Sequence, residues 1–213
     1  MTRSGFVALA GRPNVGKSTL VNSMVGHKVA IVSDKPQTTR RAIRGVITAP
    51  ERFQLVLTDL PGVQRPRDAL TERMQHRVES ELSEADAALF VVNGEQGVGG
   101  PGDVFIAEAL SGATVPVVVA VNKVDRPDAR AQEVINEVFD LFAALDATDE
   151  QLDFPILYGS GRDGWMADSP EADPSVGLEP LFDLVLKHVP QAKTEEGPFR
   201  MLGTLLEANP FLG

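Results

Sequence analysis

The chain has no cysteine, which removes disulfide frameworks, thiol nucleophiles and thiolate metal sites from consideration. Histidine is nearly as scarce. His27, His76 and His188 are scattered without ligand spacing, so neither a zinc centre nor a Ser-His-Asp arrangement is credible. No apolar run approaches the length of a membrane span, and the chain enters an apolar strand at Phe6. No signal peptide is therefore expected, and a cytoplasmic location is the expectation. Positive charge is in deficit, with 20 Lys and Arg against 30 Asp and Glu, a net −10 that argues against a protein that coats nucleic acid.

The most informative stretch is Gly11-Arg-Pro-Asn-Val-Gly-Lys-Ser18, followed by Thr19. It matches G-x-x-x-x-G-K-[ST], follows the apolar run Phe6 to Ala10, and precedes the helical pattern Leu20, Val21, Met24, Val25. Glycines at 11 and 16 let the backbone curl so that successive N–H groups face phosphate oxygens at a helix N-terminus. The candidate contacts are Gly11, Asn14, Val15, Gly16, Lys17, Ser18 and Thr19. Lys17 reaches the outer phosphates and Ser18 offers a hydroxyl to Mg²⁺. This much specifies a nucleoside triphosphate without choosing its base.

Downstream, strands alternate with helices. Apolar runs at Ala42 to Thr48, Phe53 to Thr58, Ala87 to Val92, Pro116 to Val121 and Phe154 to Tyr158 add five strands to the first. Helical spacing marks Leu70 to Leu82, Phe105 to Leu110, Ala131 to Leu145 and Leu178 to Leu186. The pattern predicts an α/β phosphate-loop NTPase fold, a mostly parallel six-stranded sheet with helices on both faces. The Gly-rich segment Asn93 to Gly102 reads as a flexible connector, not a second phosphate cradle, because Glu95 and Asp103 would face the anion. Residues 1–190 form the expected domain. Residues 191–213 read as a linker and the incomplete first strand of a following domain.

Three further motifs sit where these strands end. The polar segment Pro36 to Arg41 carries Thr39, the candidate to close on the γ-phosphate and Mg²⁺, with Thr38 the alternative. Asp59-Leu-Pro-Gly62 follows a strand; Asp59 can hold Mg²⁺ and the Gly62 N–H can meet the γ-phosphate. Asn122-Lys-Val-Asp125 follows the Val-rich strand. The Asp125 carboxylate can accept from both N1–H and the 2-amino group of guanine, donors that adenine lacks, while Asn122 meets the ring edge and Lys123 packs along the base. Tyr158-Gly-Ser-Gly-Arg162 can bring Ser160 and backbone N–H groups, that of Gly161 among them, near the guanine 6-oxo group. Eight of the Lys and Arg residues fall in the first fifty positions, against the single acid Asp34. That asymmetry suits either a face for polyanion contact or a solvated surface partly neutralised by bound triphosphate.

In this order and spacing the motifs resemble a translation-factor-class GTPase. Residues 1 to about 120 resemble the G domain of the Era family, on Gly-Arg-Pro-Asn-Val-Gly-Lys-Ser-Thr (11–19), Lys-Pro-Gln-Thr-Thr-Arg (35–40), Ile-Arg-Gly (43–45) and Asp-x-Pro-Gly (59–62). Leu60 stands where Era proteins usually carry Thr. From about Asn122 the strings 122–130, 137–142, 147–155, 159–165 and 196–201 resemble the TypA/BipA family of ribosome-associated GTPases, which implies a composite joined near the strand before Asn122. The resemblance implies GTP and GDP as ligands, Mg²⁺ as cofactor, K⁺ held with help from Asn14, and a ribosome or ribosomal RNA as partner. It also implies that the RNA-binding domain of an Era protein is absent here.

Lys17, Thr39 and Gly62 are the candidate catalytic residues, and Ser18, Thr39 and Asp59 the metal ligands. Apolar Val63 occupies the position after D-x-x-G where many GTPases orient water with Gln, so hydrolysis is expected to be slow; Gln64 is a weaker candidate for that role. Arg65 and Arg67 either touch RNA or stay solvated, and Trp165 and Met166 read as loop residues that pack. Two functions fit: a GTP-hydrolysing switch, or a guanine-nucleotide-binding module with negligible turnover. A phosphate-loop kinase is disfavoured by the guanine motif.

Overall fold

Continuous apolar runs form strands buried on both faces, and the computed structural model shows what covers each face. It describes residues 3–32, 42–62, 69–113 and 115–188. The strands are β1 (Arg3–Ala10), β2 (Ile43–Ala49), β3 (Phe53–Asp59), β4 (Ala87–Asn93), β5 (Val117–Asn122), β6 (Ile156–Ser160) and β7 (Trp165–Ala167). The helices are α1 (Lys17–Val25), α2 (Ala69–Ser83), α3 (Pro101–Gly112), α4 (Ala131–Ala144), α5 (Asp149–Leu152) and α6 (Glu179–His188), with a 3₁₀ turn at Pro174–Val176. The sheet order is β2-β3-β1-β4-β5-β6-β7. Strands β3, β1, β4, β5 and β6 run parallel, and β2 and β7 add antiparallel edges.

Alternate residues of each central strand serve opposite layers. Leu9, Leu89 and Ala120 pack towards α1 and α6 with Leu20, Val21 and Leu181. Their neighbours Ala8, Phe90 and Val119 pack towards α2, α3 and α4 with Val78, Ile106 and Val138. A strand that must satisfy two layers has no solvent side, so it reads as an unbroken apolar run. Helix α1 ends at Gly26, whose N–H donates to Asn22 O at 2.9 Å. In α4, Val134, Val138 and Phe142 form the buried stripe, and Phe142 lies between Phe90 and Phe154 at ring separations of 6.0 and 5.7 Å. Met74, Val78 and Leu82 of the α2 stripe are buried.

Several expectations need correction. The sheet has seven strands among the described residues, not six. The extra strand is β7, whose Trp165 and Met166 pack as expected but in a strand, not a loop: Tyr158 pairs with Ala167 and Ser160 with Trp165. Three residues after a turn carry too little alternation to be recognised. Helix α3 starts at Pro101, four residues before Phe105, because Pro suits the first helical position and Asp103 Oδ2 accepts the Gly100 N–H. The Asn93 to Gly102 segment is not a loose connector. Asn93 Oδ1 accepts the N–H groups of Glu95 and Gln96, and the Gly97 N–H returns to Asn93 O. Residues 191–213 lie outside the described residues.

Candidate functional site

Strand register brings the motifs to one rim. Leu9 pairs with Asp59, Ala10 with Phe90, Asn93 with Asn122, and Asn122 with Gly159. The carboxyl ends of β1 and β3 therefore finish together, β4 runs on past Phe90 to finish beside the ends of β5 and β6, and the loops after all five strands open on one rim, where a parallel sheet binds ligands.

At the centre is the loop between β1 and α1. Gly16 has φ +100°, a left-handed conformation, and a methyl group there would sit 2.2 Å from Asn122 Nδ2. Only glycine fits. Lys17 opens α1 with its side chain folded back, Nζ donating to Gly11 O at 2.7 Å and to Arg12 O at 3.0 Å. Its ammonium is buried, and that burial lowers its pKa from 10.5 to about 8, Asp59 pulling the other way. The Ser18 hydroxyl donates to Asp59 Oδ2 at 2.6 Å, which places two hard oxygen ligands side by side, a donor set that fits Mg²⁺. Val15 is buried, Asn14 exposed with φ +65°, and Thr19 half-buried in the first turn of α1.

The D-x-x-G glycine belongs to the same site by close approach. A methyl group at Gly62 would fall 2.7 Å from Pro13 N and 2.8 Å from Pro13 Cα. The end of β3 is thus packed directly on the phosphate loop.

The Asn122 amide is buried and committed on both sides. Nδ2 donates to Val15 O at 2.8 Å, and Oδ1 accepts the Gly161 N–H at 2.7 Å. These two bonds make the amide a strut between the phosphate loop and the β6 turn. Lys123, with φ +68°, donates from Nζ to Asn14 O at 2.7 Å, and burial lowers its pKa. Asp125 is exposed beyond it, 4.0 Å from Arg126 Nε. The Ser160 hydroxyl donates to Asp163 Oδ2 at 2.8 Å and accepts the Asp163 N–H at 3.2 Å, so it shapes the turn that carries Gly161.

Two polar residues of α1 escaped the sequence reading. Ser23 donates to Gly161 O at 2.5 Å, which fixes the β6 turn from below. Asn22 Oδ1 accepts the Val29 and Ala30 N–H groups, both at 2.8 Å, and so holds the chain after α1. Polar positions on a helix flank, beside the apolar stripe of Leu20, Val21 and Met24, carry no motif. Thr38, Thr39, Val63, Gln64, Arg65 and Arg67 lie outside the described residues.

A family model described as 50S ribosome-binding GTPase matches residues 6–123, the span from within β1 to the first half of the Asn122–Asp125 motif. The chain belongs to that family. Of the curated relatives, the GTPase Era of Alkaliphilus metalliredigens (strain QYMF) is 43% identical over 161 residues, 76% of this chain and 53% of that protein. Two solved structures are similar. Era in complex with MgGDPNP and nucleotides 1506–1542 of 16S ribosomal RNA gives a TM-score of 0.72 at 28% identity, covering 92% of this chain and 60% of that one. A variant of Aquifex aeolicus Era bound to GDP·AlF4⁻ gives 0.69 at 30% identity, covering 90% and 59%. The chain spans about half the length of the curated relatives it matches.

A match over 161 of 213 residues must include residues 53–161 wherever it begins. The Era likeness therefore runs through the point near residue 120 at which a composite would change parentage. No helix among the described residues is long and apolar enough to cross a membrane.

Proposed function

We propose that this chain is an Era-like, GTP-hydrolysing switch of the cytoplasm whose partner is the ribosome or its RNA. The observation that carries the reading is the Asn122 strut. One buried amide ties the loop that would hold phosphates to the turn that would hold the base, so both ends of a guanine nucleotide are met by one rigid rim. Residues 1–190 act as the G domain. The Era structure with MgGDPNP and 16S ribosomal RNA, and the Era variant bound to GDP·AlF4⁻, support the ligand and partner assignments.

In this reading the backbone N–H groups of residues 14–19 cradle the α- and β-phosphates, and Lys17 leaves its two carbonyls to reach the outer ones. Ser18, Asp59 and Thr39 would supply oxygen ligands for Mg²⁺, which when bound would offset negative charge on the triphosphate. The Gly62 N–H meets the γ-phosphate. Asp125 accepts from the guanine N1–H and 2-amino group, Lys123 lies along the ring, and the Ser160-Gly161 turn faces the 6-oxo group. With apolar Val63 after the D-x-x-G motif, no side chain there orients the attacking water, so turnover is slow. Asn14 helps hold K⁺ over the phosphates; equal turnover in Na⁺ and K⁺ buffers would remove that part.

The deciding experiment titrates labelled GDP and GTP against ADP and ATP, with and without Mg²⁺, then follows single-turnover hydrolysis beside Lys17→Ala. Competition by ATP equal to that by GTP overturns the assignment. A hydrolysis rate unchanged by Lys17→Ala supports the second reading, a guanine-nucleotide-binding module with negligible turnover, which Val63 favours. The TypA/BipA-like strings after Asn122 support a composite parentage for the back half, but the alignment through residues 53–161 favours an Era-like G domain throughout.

A further inference from the structure

One charged pair of the phosphate loop has no part in the scheme above. Arg12, second residue of the loop, turns its side chain away from the nucleotide cradle and across the rim to the segment after β4. Its Nη2 donates to Gln96 Oε1 at 3.0 Å and to Gly97 O at 3.1 Å, while Nε lies 3.6 Å from Asp103 Oδ1. Asp103 is only 2% exposed. A carboxylate so deep is costly unless paired: burial raises its pKa, the Arg12 charge opposes that through an ion pair and not a hydrogen bond, and the backbone N–H groups of Gly100 and Gly99 bond to it. The segment is held independently from its far side. Arg130 Nε donates to Glu95 O at 3.2 Å, the Val98 N–H donates to Glu137 Oε2 at 3.0 Å, and Arg130 pairs with Glu137. Arg12 is therefore attached to a braced wall.

The same residue presents its carbonyl to the nucleotide side, where it accepts from Lys17 Nζ at 3.0 Å. Side chain and carbonyl share one Cα, whose backbone Pro13 already restrains, so holding the guanidinium further limits where the carbonyl points and where the lysine ammonium waits. We propose that Arg12 and Asp103 form a positioning pair that anchors the leading edge of the phosphate loop and, through the Arg12 carbonyl, presets Lys17 for the outer phosphates. The pair touches no nucleotide atom in this scheme, and the proposal rests on the guanine-nucleotide reading.

The test measures GDP affinity of the full chain by fluorescent-nucleotide displacement, for wild type, Asp103→Asn, Lys17→Ala and the double variant, with thermal melting alongside. Asp103→Asn is expected to weaken GDP roughly tenfold in the wild-type background. In the Lys17→Ala background it should cost much less, because most of its effect passes through that ammonium. Melting temperature is expected to fall equally in both backgrounds. An affinity loss of equal factor with and without Lys17, or a lower melting temperature at unchanged affinity, overturns the proposal and leaves the pair a purely structural tie. Should Asp103→Asn not fold, Arg12→Lys carries the same cycle, since it keeps the charge but loses the forked contact to Gln96 and Gly97. Failure of wild type to bind GDP would defeat the nucleotide reading itself, an outcome distinct from variants that bind as wild type does.

Discussion

Lys17 combines a buried ammonium with an acceptor environment meant for something else. With its pKa lowered to about 8 by burial, it is half deprotonated just above neutrality, while a bound polyphosphate would raise it again. Binding should then take up a proton above pH 8, and GDP affinity should fall by up to about tenfold per pH unit beyond it. Isothermal titration in buffers of different ionisation enthalpy checks both the slope and the proton uptake. The sign for folding is opposite. The unfolded chain binds this proton more tightly than the native one, so the group's cost to stability is full below pH 8 and is relieved as pH rises towards 10.5. Asp125 makes a separate claim. Asp125→Asn replaces one acceptor by a donor, so GDP should lose 10²-fold or more, roughly the range for an unpaired buried hydrogen-bonding group. Nucleotides of xanthine, which carry an acceptor at position 2, should lose far less, as competition binding would show. These residues were legible because their chemistry is tied to short strings. Asn122 was only half legible: its type and place were expected, but nothing in the string announced that its amide also holds Val15 and Gly161.

Among the elements, α4 makes the plainest case for packing. Phe142 is 1% exposed and wedged between Phe90 of β4 and Phe154 before β6. Phe142→Ala removes most of a large side chain from a site whose neighbours are rigid strands. The expected loss is about 3–5 kcal/mol in urea unfolding. The α1 start is governed differently. Gly16→Ala places a methyl group 2.2 Å from Asn122 Nδ2 at a left-handed backbone position, so the strut must break; nucleotide binding should vanish before the fold does, read by circular dichroism beside a binding assay. Long elements were recognisable because each repeats its period several times. The misses were the three-residue β7, the short α5 and the first turn of α3, where a Gly-rich string concealed a Pro101 start and an Asp103 cap. In such stretches periodicity has no room to show, and long-range partners settle the conformation.

Taken whole, the molecule meets its proposed ligand with loops from β1, β3, β5 and β6, so one nucleotide would bridge most of the sheet's carboxyl rim. Ligand present at about a hundred times its dissociation constant stabilises the native state by about 2.7 kcal/mol. For a domain of this size that is a rise of roughly 5–10 °C in melting temperature. GDP should produce it and ADP should not; equal shifts with both would contradict a guanine site. The amino-acid sequence by itself determined the alternation of elements, the two-layered burial of the strands and the identity of the phosphate and guanine motifs, because each depends on near neighbours along the chain. Tertiary structure alone decided which groups serve as struts. That Arg12 meets Asp103, that Ser23 holds Gly161 and that Gly62 lies against Pro13 follow from strand register, which brings together residues far apart in the chain whose types give no hint of the pairing.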